Sequence, residues 1–310
     1  MNSAPLRGLI AASITPFADD DTVNLDAIGP MLGRLIDLGI AGFYVCGSTG
    51  EGMSLTSQER KSIVETTVAA VGGRVPVIVQ VGHNSIAEAR DLAAHAARAG
   101  ADAISATCPS YFKVDDPATL VACMQQIAAG AAELPFYYYH IPGLTGSQIN
   151  VVDFLQQGAD EISNLAGMKY THTLLHEFLS CKRLDQGRFD ILWGCDEMLL
   201  GAAASGAKGA VGSTYNIAAP LYRRIFAAVA AGDLATAQDL QHHSVALVQV
   251  MTGFPFHGAL KAMMEMLGMV GGPCRLPLRS LTSGEKDLLR DRLSEIGYFD
   301  WCGIDVGAAS

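Results

Sequence analysis

Short apolar runs punctuate the chain at 9–14, 42–46, 75–81, 103–107, 136–139, 165–169, 189–193 and 209–211, and each reads as a β-strand. The stretches between them, among them 25–38, 58–71, 85–99 and 117–132, repeat their apolar positions at helical spacing. Thr56 and Ser85 stand where helix N-caps belong, with Glu59 and Glu88 three residues on as capping-box partners. Gly39, Gly72 and Gly100 stand where helices should stop. Eight β-then-α units in succession predict an α/β fold, a closed parallel (β/α)8 TIM barrel. A doubly wound open sheet is the alternative, disfavoured because no GxGxxG follows the first strand. The expected division is a catalytic barrel over 1–232 and an appended helical subdomain over 233–310, packed on the barrel or on a neighbouring subunit.

In such a barrel the chemistry sits at the C-terminal ends of the strands. Those ends carry Gly47-Ser48-Thr49-Gly50-Glu51-Gly52 after strand two and Pro109-Ser110-Tyr111 after strand four. Tyr139 and Lys169 end strands five and six. Gly194-Cys195-Asp196-Glu197 follows strand seven, and Gly212-Ser213-Thr214-Tyr215-Asn216 follows strand eight. Distant polar residues converging on one rim say more than any single motif. The glycine-rich run reads either as a tight turn or as an anion nest, with backbone N–H groups and the Ser48 and Thr49 hydroxyls around a carboxylate. Strand alternation puts Tyr137 and Tyr139 on one face and Tyr138 on the other. Asp196-Glu197 reads either as the acidic first turn of a helix or as a pair of ligand acceptors.

Lys169 is the sharpest signal. A neutral amine attacks a carbonyl, and a low-dielectric surrounding lowers a lysine pKa. From the ordinary value near 10.4, holding it near neutrality requires a displacement of roughly 3 pH units, about 4 kcal/mol. Tyr139 is a suitable proton carrier for the following steps. Lysines are almost never buried without a partner or a task. Of the chain's lysines only Lys169 ends an apolar strand; Lys61 and Lys261 fall on helices, and Lys208 lies at the opposite end of the barrel.

Composition narrows the function classes. With 310 residues, 50% of them hydrophobic, the chain can bury a large core. A net charge of −10 without a basic run argues against nucleic acid. Seven scattered cysteines, with no CxxC, argue against a disulfide framework or zinc site and for a reducing, cytoplasmic setting. Residues 1–7 lack the apolar core of a signal peptide, and no apolar stretch approaches the ~20 residues of a membrane span. The eight histidines offer no HxH or HExxH. His172 and His176 share an i, i+4 spacing on a predicted helix, but no third ligand is evident, so a surface or capping role is expected and a metal-dependent aldolase is disfavoured.

The motifs Gly-Ser-Thr-Gly-Glu, Tyr-His-Ile-Pro-Gly-Leu-Thr-Gly and Gly-Met-Lys-Tyr-Thr, in this order and approximate spacing, resemble the N-acetylneuraminate lyase and dihydrodipicolinate synthase family of lysine-dependent pyruvate aldolases. The resemblance spans nearly the whole chain. Tyr137-Tyr138-Tyr139-His140-Ile141-Pro142 is similar to the animal-type lyase branch, where many bacterial relatives carry Asn at the His140 position. The synthase branch carries an arginine at the position of Leu144, and an apolar residue cannot replace a bidentate carboxylate clamp.

The resemblance implies reversible cleavage of N-acetylneuraminate to N-acetylmannosamine and pyruvate. It implies Lys169 as Schiff-base residue, Tyr139 as proton shuttle, and Tyr111 as the tyrosine that reaches a neighbouring subunit. It implies Ser48 and Thr49 on the substrate carboxylate, with Thr171, Gly194, Asp196, Glu197 and Ser213 along the polyol. No metal or cofactor is expected, and the implied assembly is a homotetramer. Two alternatives stay open: another pyruvate aldolase of the same fold, acting on a different sugar acid or as a synthase, and a non-catalytic sugar-acid binder.

Overall fold

A computed structural model describes residues 5–304. Residues 1–4, within the stretch read above for a leader, and 305–310 lie outside the described residues. Eight parallel strands close on themselves in sequence order: β1 (Gly8–Ala12), β2 (Gly42–Val45), β3 (Val77–Gln80), β4 (Ala103–Ala106), β5 (Phe136–His140), β6 (Leu165–Tyr170), β7 (Asp190–Trp193) and β8 (Gly209–Gly212). Each lies within two residues of its expected position. The connecting helices are α1 (Ile28–Asp37), α2 (Ser57–Val71), α3 (Ile86–Arg98), α4 (Pro117–Ala128), the short α5 (Pro142–Thr145), α6 (Val151–Glu161), α7 (Leu175–Arg183), α8 (Leu199–Ala204) and α9 (Tyr215–Ala231). After the barrel come α10 (Leu234–Thr252), α11 (Phe256–Met266), α12 (Ser283–Glu295) and α13 (Tyr298–Trp301). All seven cysteines are free thiols. Among the described residues, no helix is long and apolar enough to cross a membrane.

Local chemistry explains where the helices begin and end. Thr56 caps α2 in a reciprocal box with Glu59. The matching box expected at α3 is only half made. Ser85 accepts from the Glu88 N–H, but the Glu88 carboxylate takes the Ser57 hydroxyl, at 2.8 Å, instead of returning to the cap. The first turns of α2 and α3 are thereby tied together. Gly39, Gly72 and Gly100 end their helices at φ of 87°, 56° and 86°, a conformation glycine adopts without penalty.

Strand alternation divides the core in two. Ile10, Ala12, Tyr44, Ile78, Ala103, Tyr137, Tyr139, Leu192 and Val211 fill the barrel interior. Their chain neighbours, such as Phe43, Tyr138, Met168 and Tyr170, pack outward against the helices. The register between β5 and β6 slips once: Phe136 pairs with Leu165, but Tyr137 pairs with Gly167. Ala166 is the extra residue of a β-bulge. Beyond it Tyr139 stands opposite Lys169, and His140 opposite Tyr170.

Gly167 has no room for a side chain, since a Cβ there would come 1.8 Å from the Asp190 carbonyl oxygen. Gly33, inside α1, would meet nothing within 4 Å. Gly167→Ala is therefore expected to destabilise the barrel by at least about 1–3 kcal/mol. Gly33→Ala should stabilise it by about 0.5–1 kcal/mol. Thermal midpoints of the two variants moving in the same direction would contradict this account.

Candidate functional site

Lys169 is 4% exposed at the end of β6 and points into the barrel mouth. Its Nζ lies 3.9 Å from the ring centre of Tyr139 and 4.2 Å from that of Tyr44. The two rings meet edge to face, 5.5 Å apart. They form an apolar wall with attractive π faces against the amine. The Tyr44 hydroxyl donates to Ser105 Oγ at 2.9 Å, and burial, reinforced by Tyr139, pushes its pKa well above the ordinary tyrosine value. Tyr44 therefore stays protonated and fixed. It was not singled out from the sequence, although its place near the end of β2 was a usable signal.

The Gly47–Gly52 loop closes one side of this mouth. Ser48 Oγ lies 3.5 Å from the Tyr139 hydroxyl, and Thr49 Oγ1 lies 2.6 Å from Ser213 Oγ. The loop is a turn with two non-glycine residues in the left-handed region, Cys46 at φ 58° and Glu51 at φ 55°. Each such residue costs about 1–3 kcal/mol unless its surroundings impose it. Here α11 and the connection that follows it impose it. Glu51 is buried in an ion pair with Lys261 of α11, Oε1 to Nζ at 2.6 Å, and its Oε2 accepts the Arg275 N–H at 2.9 Å. Lys261 Nζ also donates to the Pro273 carbonyl at 2.7 Å. A ring nitrogen of His257 lies 2.9 Å from the Ser48 carbonyl. Lys261 is 2% exposed, so Lys169 is not the chain's only buried lysine. Its helical position gave no sign of this, because its partner lies more than 200 residues away.

The far side of the mouth is built from the ends of β7 and β8. Asp196 is buried, and its Oδ2 accepts from the Thr214 N–H at 2.9 Å and from the Thr214 hydroxyl at 2.6 Å. Its backbone carbonyl accepts from Gln241 and Ser244 of α10. Its Oδ1 has no partner and lies against Gly212, where a Cβ would come 2.0 Å away. Burial pushes the Asp196 pKa up to about 6, opposed by the Thr214 hydrogen bonds. Glu197 is half-buried beside it. Thr171 Oγ1 is buried without a partner, and a Cβ at Gly194 would come 2.1 Å from it. Burial pushes the Cys195 thiol up to about 12, so it is a protonated part of the wall.

Across residues 5–296 the chain matches the dihydrodipicolinate synthetase family. The chain belongs to this family. An N-acetylneuraminate lyase of Xenopus tropicalis is 39% identical to it, over 94% of this chain and 97% of its own length. Among solved structures, the N-acetylneuraminate lyase (sialic acid aldolase) of Aliivibrio salmonicida superposes with a TM-score of 0.93 at 38% identity, covering 96% of this chain and 98% of that one. The N-acetylneuraminate lyase of Proteus mirabilis gives 0.92 at 37% identity, covering 95% and 99%.

Within this family member, two residues that the resemblance singled out are exposed. Tyr111 is 78% exposed, its ring edge-on to Phe112 and its backbone N–H donating to Asn84 Oδ1. Leu144, on α5, is also exposed. The histidine reading needs correction: α7 begins at Leu175, so His172 lies in the bend before it and does not share a helix face with the exposed His176. His140 instead is the ring beside His172, at 5.9 Å between centroids. Burial, with His172 nearby, holds its pKa down at about 3.

Two measurements test this geometry. Lys261→Met leaves Glu51 buried without its counter-charge, a loss of about 3–5 kcal/mol. The double change Glu51→Gln with Lys261→Met should recover more than half of it, because Gln still accepts from the Arg275 N–H; denaturant midpoints of the wild type and the two variants decide. For Asp196, the folded state holds its proton more tightly than the unfolded chain. Its contribution is therefore full below about pH 4 and is lost as pH rises through about 6. The change is about 3 kcal/mol over that window. Asp196→Asn should abolish that part of the slope, and parallel stability-versus-pH curves for the two proteins would refute the assignment.

Proposed function

We propose that this chain is a Schiff-base aldolase that reversibly cleaves N-acetylneuraminate to N-acetyl-D-mannosamine and pyruvate. The observation that carries the reading is Lys169, buried at the end of β6 against the faces of Tyr139 and Tyr44. The likeness to lyases across the whole barrel favours this substrate over the synthase reaction. So does Leu144, which offers no group to clamp a second carboxylate.

In the proposed reaction Ser48 and Thr49 hold the carboxylate of the open-chain sugar acid. The Lys169 amine adds to the C2 ketone, and loss of water leaves an iminium. Tyr139 accepts the proton of the C4 hydroxyl. The C3–C4 bonding pair then moves into the iminium, releasing the aldehyde sugar and leaving an enamine. Protonation at C3 and hydrolysis of the iminium free pyruvate and restore the amine. Thr171, Gly194, Asp196, Glu197 and Ser213 align the polyol and N-acetyl arm. Carboxylates suit such a ligand because each oxygen accepts strong O–H hydrogen bonds.

The exposed Tyr111 serves a neighbouring copy in a homotetramer, and the enzyme works in cytoplasmic carbohydrate metabolism. Free, mostly buried thiols suit that compartment. The barrel over 1–232 carries the chemistry, and 233–310 supports it by holding the Gly47–Gly52 loop.

Purified protein should release pyruvate from N-acetylneuraminate, and Lys169→Ala should not. Borohydride added with pyruvate should link a reduced adduct to Lys169 and to no other lysine. Tyr139→Phe should still be trapped this way but lose about 10²–10⁴ in kcat. A wild-type protein that is trapped with pyruvate yet leaves N-acetylneuraminate uncleaved would retain the aldolase chemistry and overturn the substrate.

A further inference from the structure

The strands that carry Tyr139 and Lys169 into the barrel carry a second group of side chains on their outer faces. His140 and Tyr170 follow them in the chain, stand opposite each other in register, and stack at 5.4 Å with 26° between their planes. His172 lies just beyond, in the bend leading to α7, with its ring at 75° to that of His140. Glu177, in the first turn of α7, is the third member. One ligand atom from each of His140, His172 and Glu177 lies within 4.8 Å of the other two.

Nothing in the fold accounts for this arrangement. Nδ1 of His140 and Nδ1 of His172 are both buried, and neither has a hydrogen-bond partner. His140 is 3% exposed. A buried polar nitrogen left unpaired is destabilising, so two side by side point to a missing partner that accepts two lone pairs. Glu177 adds a carboxylate, and its Oε2 is already oriented by the Tyr170 O–H at 2.5 Å. A first shell of two imidazoles and a carboxylate, with an outer hydroxyl fixing the carboxylate, is the composition of a transition-metal site. Magnesium and calcium prefer all-oxygen shells, and a thiol-seeking ion finds no cysteine in this set.

We propose that His140, His172 and Glu177 bind one divalent transition-metal ion of the zinc class on the outer side of the barrel rim, with water in the fourth position. Tetrahedral bonds of about 2.1 Å space the ligands roughly 3.4 Å apart, so the three atoms draw together by little more than 1 Å. His172 and Glu177 are half-buried, which leaves an entry path from solvent. The ion ties the end of β5 to the β6–α7 connection. It takes no part in the aldol step, which runs on the opposite face of both strands.

Chelator-treated protein titrated with zinc alone, followed by calorimetry and by thermal midpoint, tests the site. The wild type should bind one equivalent per chain with a rise in midpoint. Cobalt(II) in its place should give the intense visible bands of a four-coordinate ion. The pair His172→Ala with Glu177→Gln, at partly exposed positions where folding is not at risk, should weaken binding at least tenfold. His140→Asn should do the same, while His176→Ala, exposed beside Glu177 but outside the cluster, should bind as the wild type does. The Lys169→Ala variant should also bind normally, which separates this site from the proposed reaction. Absence of saturable binding in the wild type, or unchanged affinity and stoichiometry in the His172/Glu177 variant, would overturn the proposal.

Discussion

The site depends on one register slip. Counted from Phe136 and Leu165 without interruption, Tyr139 would stand opposite Met168, and an apolar thioether would share its interior position. The bulge at Ala166 shifts β6 by one residue, so Lys169 enters the barrel beside Tyr139 and Met168 turns to the outer core. Period-two alternation makes such a slip all-or-none for every residue that follows. Gly167, pressed against the Asp190 backbone, is the point where β7 holds the shifted strand close. The inward amine and the outward His140–Tyr170 stack are thus two consequences of one extra residue.

The second constraint works over a much longer span of chain. The loop after β2 needs left-handed backbone at Cys46 and at Glu51, and neither is glycine. A buried carboxylate also requires compensation. Lys261 and the Arg275 N–H supply both the charge and the geometry. The pair gains little net stability, since desolvation of both ions offsets most of their attraction. Its effect is positional. It fixes the Ser48 and Thr49 hydroxyls relative to Tyr139 by anchoring their loop to α11 and the connection after it, which contribute nothing to the sheet.

Much of this was legible in the chain, and the division between legible and hidden is physical. Strand ends, helix caps and alternation are local, so Lys169, Tyr139, the Thr56 box and the stop glycines could be read from neighbours in sequence. Glu51 with Lys261, and Ser48 with His257, join residues about 210 apart, and no local pattern encodes such pairs. Tyr44 carried only a faint signal: it stands near a strand end, but an aromatic in a strand is ordinary, and only closure of the sheet brings it over Lys169. The Ser85 box failed because Glu88 found a partner on another helix. His140 was visible as a letter in a motif, but its outward partners appear only when β5, β6 and α7 pack together.

The charge distribution around Lys169 follows from the same packing. Among the described residues, Lys169 makes no ion pair, and its amine lies against the ring faces of Tyr44 and Tyr139. A full carboxylate in contact with it would favour the ammonium form and oppose nucleophilic attack. The nearby acid, Asp196, is itself buried and held by Thr214, and its raised pKa reduces the negative charge it presents. The loop carboxylate, Glu51, is taken up by Lys261 on the far side of the turn. Of the acids near the mouth, Glu51 is therefore paired and Asp196 is held back by its burial, while Glu197 stands half-buried beside Asp196. Around the amine the mouth keeps its polarity largely in hydroxyls, those of Tyr139, Ser48, Thr49 and Ser213, which can exchange hydrogen bonds with one another and with a substrate.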